Sequence, residues 1–472
     1  MMFETHDDLR AAVQQSRALL SGAVDALCLL IHQATDVEPV RQRVEYVSRI
    51  WLLHLCDRFV AEPMDTRGKG SINSRSFMIA RPTSRSKRLG TLQPRRARVT
   101  VVEPYLKIDF MSEFFAVLRS RRLVRWAPLE QMPINQSEIL SRSRRIDLTA
   151  NTQGHESSQQ LLMAIADAAP PELIENYHEL VNWADAHADR RTRVLFTANA
   201  HQSSVGFRHV AYSQRQLGTT IAVHQHGGGY GIDEHHLGED HDVEFADVFY
   251  SWGWTRAELG GKIRILPTAF PSRATSPARQ SLLLMSLPVT NDFFRFHSFL
   301  VPSQIQNVVA ETVAFAGELT DGTDLCVRSS VSDAFPMNRL QESRANLTSD
   351  DLREHGCVAA SRHRLVIHNY LGTSWLETLA MNIPTVCFYD PVMYRPRAAA
   401  QPFVDALAKV GVIHYSGIEA AKFVNGLNGD PSAWWQSAEV QEAREAFVAR
   451  YANFSEKWLP AWMEEFERLL GE

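Results

Sequence analysis

The stretch HQHGGGYG, residues 224–231, sets two imidazoles two positions apart and follows them with three consecutive glycines. Imidazole can carry a proton near neutral pH or ligate a metal. Glycines let a backbone turn sharply and come close to a ligand. Five of the 18 histidines fall between residues 224 and 241, namely His224, His226, His235, His236 and His241. Asp233, Glu234, Glu239, Asp240 and Asp242 share the same stretch. Three readings follow: a metal site, a structural turn, or a ligand-facing catalytic loop. The spacing matches no zinc pattern, which weakens the first. The preceding TTIAV reads as a strand, and ligands of open α/β sheets bind at the carboxyl ends of strands, which favours the third. Alternation along that strand would put His224 and His226 on one face.

A second stretch, RLVIHNYLGTSWLETLAMNIPTVCFYD (364–390), has the logic of a βαβ unit. A buried strand runs to His368. The turn NYLGTS starts at Asn369, and a helix begins near Thr373 or Ser374. Unpaired amides at a helix start, with two hydroxyls beside them, make an anion site. Glu377 lies one turn in, within reach of a ribose diol. The plainer alternative is that Thr373 or Ser374 is only an N-cap. In CVRSSVSDAF (326–335), Arg328 emerges at a strand end and suits a phosphate or carboxylate, or else a surface ion pair. The aromatics of FADVFYSWGW (245–254) read as packing residues.

The elements that must position these groups alternate. Residues 1–60 read as two helices with apolar residues at three-and-four spacing. A short strand, RVTVVEP, follows a polar loop, and IDFMSEFFAVLRSRRLV reads as a further helix. From residue 190 onward strands and helices take turns, as in a doubly wound parallel sheet. PTAFPSRATSPARQS (267–281) lacks apolar periodicity and reads as a linker. The alternation then resumes and ends in long helices. The expectation is two α/β domains: residues 1–266 with a helical start, and residues 282–472 with terminal helices.

The totals exclude several classes. The chain has 472 residues, 45% hydrophobic and 22% charged, with a net charge of −5. This is ordinary for a globular protein and lacks the basic excess of a nucleic-acid binder. The stretch 84–98 is an exception: it holds Arg85, Lys87, Arg88, Arg95, Arg96 and Arg98 and no acid. It reads as a solvated loop, or as a surface for an anionic acceptor or for peripheral contact with lipid headgroups. Five cysteines without CxxC spacing point to a reducing, cytoplasmic setting. The start, MMFETHDDLR, has acids where a secretion signal needs bases. Apolar runs such as WLLHLC fall short of the ~20 residues that span a bilayer.

Together, HQHGGGYG, EDHDVEFADVFYSWGW and RLVIHNYLGTSWLETLAMNIPTVCFYD resemble a family of transferases from bacterial surface-carbohydrate gene clusters. That family is similar to GT-B glycosyltransferases, including those using CMP-activated sugars such as Kdo and nonulosonic acids. It is more loosely similar to CDP-glycerol glycerophosphotransferases. RIWLLHLCDRFV and WWQSAEVQEAREAFVARYA resemble the family's N-terminal helix and its end. The resemblance implies a GT-B fold whose two domains face each other across a cleft. It also implies a nucleotide-activated sugar donor, CMP-linked, and a glycan, lipid-linked glycan or protein acceptor, with no cofactor and no metal. Asn369, Thr373, Ser374, Glu377 and Arg328 would hold the nucleotide, and Gly227, Gly228 and Gly229 would close over the donor sugar. His226 would act near the leaving phosphate, as acid/base or hydrogen-bond donor. Asp233, Glu234 and Glu239 would be candidate bases or nucleophiles. A glycerophosphotransferase and a metal-dependent hydrolase built on the His/acid loop 224–242 are the competing activities.

Overall fold

The computed structural model describes residues 6–61, 97–105, 124–126, 139–150, 156–271, 279–287, 302–329, 336–344, 346–350, 352–392 and 394–471. The basic stretch 84–98, apart from its last two residues, and most of the helix expected over 108–124 lie outside this set.

Two parallel sheets of six strands organise the chain. The first contains β1 (Val99–Val102), β2 (Val124–Trp126), β3 (Val194–Thr197), β4 (Thr220–His224), β5 (Val248–Ser251) and β6 (Ile263–Ile265), in the order β2-β1-β3-β4-β5-β6. A two-residue strand, β7 (Thr268–Ala269), follows. The second sheet contains β8 (Arg279–Ser286), β9 (Leu325–Ser329), β10 (Leu347–Ser349), β11 (His363–His368), β12 (Thr385–Phe388) and β13 (Ile413–His414). Its order, β10-β9-β8-β11-β12-β13, is the usual Rossmann arrangement. This is the GT-B architecture, with helices before and after the two sheets.

Runs such as VLFT in β3 and TVCF in β12 are buried along their whole length, as strands covered on both faces must be. In the first sheet, Leu195, Ile221, Val223 and Phe249 face one core. Phe196, Ala222, Val248 and Tyr250 face another. The second core is closed by Trp458, Trp462 and Phe466 of the helix Trp458–Leu470. The sequence order places that helix with residues 282–472, yet it packs on the first sheet. Phe454–Ser455 (β14) leads the chain there by pairing with β7, inside the stretch read as a linker. The linker reading also overlaps the start of β8 at Arg279.

The helices His6–Thr35 and Arg41–Ala61 form a third core with Glu156–Ala168. The first of them is long and apolar enough to cross a membrane. Its Leu20, Val24, Leu27, Leu30 and Ile31 are buried against Val44, Leu52, Leu161 and Ile165, while 33% of its most apolar window is buried in all. The largest core joins the two sheets: Ile232 and Trp254 pack with Leu371, Trp375, Tyr389 and Tyr394.

Candidate active site

β4 ends at His224, and there the two histidines part company. His224 is buried, donates from Nε2 to the Leu266 carbonyl at 3.2 Å, and meets the Trp462 ring edge-on. Burial drops its pKa to about 3, so it is a neutral core histidine. The expectation that His224 and His226 share a face is therefore corrected. Strand alternation stops at His224, because Gln225 is turned into the fold. The Gln225 side-chain oxygen Oε1 accepts from the Trp252 backbone amide at 2.9 Å and the Trp254 indole at 2.8 Å, and Nε2 donates to the Gly227 carbonyl at 2.8 Å. The SWGW motif thus braces the turn that presents His226.

Beyond the turn, the glycines bring the first sheet against the second. The Gly228 amide donates to Thr373 Oγ1 at 2.8 Å. A Cβ on Gly228 would lie 2.5 Å from the Gly372 carbonyl carbon and 2.6 Å from the Thr373 nitrogen, so only glycine fits. Thr373 opens the helix Thr373–Ala380, whose N-cap, Gly372, contributes no side-chain cap. The sequence reading of Thr373 or Ser374 as a plain N-cap therefore gives way to a helix start aimed at the glycine loop. Ser374 Oγ lies 3.3 Å from the Tyr370 hydroxyl, and Glu377 is buried one turn on.

His226 faces aromatic rings: Tyr230 at 5.5 Å and Tyr105 at 5.9 Å between centroids. Behind it lies Asp242, wholly buried on the helix Leu237–Phe245, with Oδ2 3.7 Å from His226 Nδ1. The same oxygen accepts from the Tyr230 hydroxyl at 2.8 Å. Oδ1 pairs with His201 Nε2 at 2.6 Å and accepts from Gln202 Nε2 at 2.8 Å. Burial pushes the Asp242 carboxyl up, but the charge and hydrogen bond of His201, with His226 and His241 behind, pull it down to about 2. A fixed negative charge therefore stands behind His226. Sequence reasoning counted Asp242 among the acids but gave it no role. The nine-residue LGEDHDVEF has no apolar stripe that would mark position 242 as inward-facing.

The other acids of the loop hold it in place. Asp233 accepts from the Tyr394 hydroxyl at 2.6 Å, and its backbone oxygen accepts from the Arg397 guanidinium at 2.9 Å. Glu239, fully buried, accepts from the Gly231 amide at 2.7 Å and pairs with Arg256 at 3.2 Å and Arg397 at 3.0 Å. Burial raises its pKa against the pull of Arg397. Glu234 pairs with Arg10 at 2.6 Å and with His6 at 3.6 Å. Two of the nucleotide-site candidates lie in structural roles. Asn369 accepts from the Leu287 amide at 2.8 Å and donates to Thr312 at 3.0 Å, which ties β11 to β8. Arg328 pairs with Asp350 and donates to the Glu354 carbonyl at 2.6 Å.

Among the described residues, two groups of three side chains could share a metal ion: His201, His241 and Asp242, all buried, and His6, Glu234 and His235. His201 and Asp242 already satisfy each other by a hydrogen bond.

Two Rossmann-like sheets, with the glycine loop of one seated on a helix start of the other, make a two-domain architecture of the GT-B kind. The chain belongs to the LIC12162 family transferases, whose family profile matches residues 61–466. No curated protein is significantly similar to it in sequence. Among solved structures, it is similar to an O-GlcNAc transferase mutant from Thermobaculum terrenum, at 14% identity and TM-score 0.39, over 98% of this chain and 84% of that one. It is similar to a glycosyltransferase from Rickettsia africae ESF-5, at 10% identity and TM-score 0.41, over 80% and 99%. It is also similar to the glycosyltransferase SnogD from Streptomyces nogalater, at 11% identity and TM-score 0.40, over 80% and 99%.

Proposed function

We propose that the chain is a glycosyltransferase that moves a sugar from a nucleotide-activated donor to a bacterial surface glycan, lipid-linked glycan or protein. The donor in this reading is CMP-linked, with a Kdo- or nonulosonate-like sugar, and the enzyme works on the cytoplasmic side without a resident metal. The observation that carries the proposal is the contact of Gly228 with Thr373. It gathers a glycine loop, an uncapped helix start and an imidazole backed by a carboxylate at the carboxyl ends of two facing sheets. Backbone amides and the helix dipole neutralise a phosphate there, the task a metal performs elsewhere. In the transfer, an acceptor hydroxyl oxygen attacks the anomeric carbon as its bond to the phosphate oxygen breaks. The nucleotide leaves with that bonding pair. His226 donates to the departing phosphate, and Asp242 stabilises the ring while it is positively charged, as the carboxylate of a catalytic triad does. Glu377 is placed one turn into the helix for the ribose.

The metal-dependent hydrolase has the His201, His241 and Asp242 group in its favour. One experiment separates the readings: release of CMP from a CMP-linked sugar, with CDP-glycerol as a parallel donor, in the presence and absence of EDTA. The expected result is EDTA-insensitive turnover of the sugar donor, reduced about 100-fold or more in His226→Ala. Turnover of CDP-glycerol alone, or turnover abolished by EDTA, contradicts the proposal.

A further inference from the structure

A second carboxylate belongs to this crevice, at the end of β1. In the first sheet the chain runs from β1 outward to β2, then crosses to β3 on the other side of β1. The connections therefore diverge between β1 and β3, and the crevice outside their carboxyl ends is where open α/β sheets take ligands. Glu103 is the first residue past β1 at this point. Its backbone is forced into the left-handed region, φ +42, and Tyr105 two residues on is also left-handed, φ +54. Side-chain-bearing residues at positive φ are strained and collect at functional sites. The strain is held by β3: the Ala198 and Asn199 amides both donate to the Glu103 carbonyl, at 3.1 and 3.2 Å.

The turn this makes points at the site already described. Tyr105, exposed, sets its ring against the edge of His226. The register Val102–Thr197–Val223 puts β1 two strands from β4. The end of β1 thus stands roughly 10 Å from the end of β4, on the same rim. Glu103 is half-buried, and burial raises its pKa, against the opposing hydrogen bond from the Ser203 hydroxyl. A carboxylate with these properties suits proton abstraction near neutral pH.

We infer that the turn Glu103–Pro104–Tyr105 is the acceptor subsite and that the Glu103 carboxylate takes the proton of the acceptor hydroxyl. The inference rests on the sugar-transfer reading and adds the step that reading leaves open. As the acceptor oxygen bonds to the anomeric carbon, its proton passes to Glu103. His226 serves the departing phosphate on the other side of the reacting carbon. Tyr105 supplies an apolar and hydrogen-bonding face for a sugar ring. No metal or other co-reactant enters the step.

The test measures CMP release from a CMP-linked sugar, with a free monosaccharide as acceptor, between pH 5 and pH 9. It compares wild type with Glu103→Gln and Glu103→Asp, and each is checked for CMP-induced thermal stabilisation, which reports the intact donor site. The inference expects wild-type turnover with an acid limb set by the carboxylate. It expects kcat lower by about 100-fold or more in Glu103→Gln, with stabilisation by CMP retained. Partial recovery is expected in Glu103→Asp. Wild-type turnover with Glu103→Gln within threefold of it and the same acid limb overturns the base and leaves the sugar-transfer reading standing. A wild type that binds CMP but releases none from any CMP-linked sugar removes that reading, and the inference with it. A Glu103→Gln variant that no longer responds to CMP makes Glu103 a structural residue, which also overturns the inference.

Discussion

At the residue scale, the account turns on charges placed behind or beside a working group. Asp242 is wholly buried, which pushes its carboxyl up, yet the charge and hydrogen bond of His201, with the charges of His226 and His241, hold it down at about 2. Its folded pKa is depressed below the unfolded value. The stability it contributes is therefore present above about pH 4 and lost as pH falls from there toward 2, and is worth roughly 2 kcal/mol. Urea denaturation of Asp242→Asn should show that deficit at pH 7, and the gap from wild type should close below pH 4. A deficit that stays constant down to pH 2.5 would show that the charge is not what Asp242 contributes. The sequence made His226, Gly228, Thr373 and Ser374 legible, because glycine runs and helix-start hydroxyls are local signals. It gave no role to Asp242 or Glu103. The first acquires its meaning only from His201 and Tyr230, which lie 41 and 12 residues away in the chain. The second acquires its meaning from a switch in strand order that no local pattern encodes.

At the scale of elements, the glycine loop is the piece that moves information between sheets. Gly228 and Gly231 sit three residues apart but should respond differently to a methyl group. A Cβ on Gly231 would run into the buried Trp254 ring at 2.3 Å, at φ +73, inside one continuous core. Gly231→Ala should lose roughly 3 kcal/mol or more of stability. The Gly228 clash is with the backbone of Gly372 and Thr373, which cannot yield without disturbing the core that joins the two sheets. Gly228→Ala should therefore also melt lower, but well below its melting range its turnover should still fall about 10-fold or more, because the loop no longer seats on the helix start. Thermal melts beside CMP-release rates check the pair, and full turnover by folded Gly228→Ala would contradict the assignment. The alternating strands and helices from residue 190 were legible from period and turn residues. The linker boundary was not, since β7 is two residues long and its pairing partner lies near the C-terminus.

For the whole molecule, the closing helix Trp458–Leu470 shows how far sequence order departs from spatial order. Trp462 is buried against Phe196 at 4.9 Å and Phe466 at 6.4 Å, and its indole donates to the Pro267 carbonyl at 2.8 Å. Trp462→Ala should cost about 3–5 kcal/mol, although the residue lies 48 residues past His414, where the last strand of the second sheet ends. Chemical denaturation followed by fluorescence would show the loss in the first sheet's transition. A loss below 1 kcal/mol would mean that the helix is a detachable tail. An amphipathic helix at the end of a chain can be read from its periodicity, but which of two sheets it covers is decided by the reach of the connection, here through β14 and β7.

The central claim is that a phosphate-bearing nucleotide binds beside the contact of the glycine loop with the helix start at Thr373, with no metal needed. The most direct measurement is thermal stabilisation by CMP, CDP, UDP, GDP and ADP, with and without EDTA, in wild type and in Thr373→Val. A ligand at 100 times its Kd that binds only the folded state adds about 2.7 kcal/mol, which a melting curve resolves readily. The account predicts selective stabilisation by a cytidine nucleotide, unchanged by EDTA and lost in Thr373→Val. No shift with any nucleotide, together with a lower melting temperature in EDTA, would contradict it and favour a metal centre at His201, His241 and Asp242.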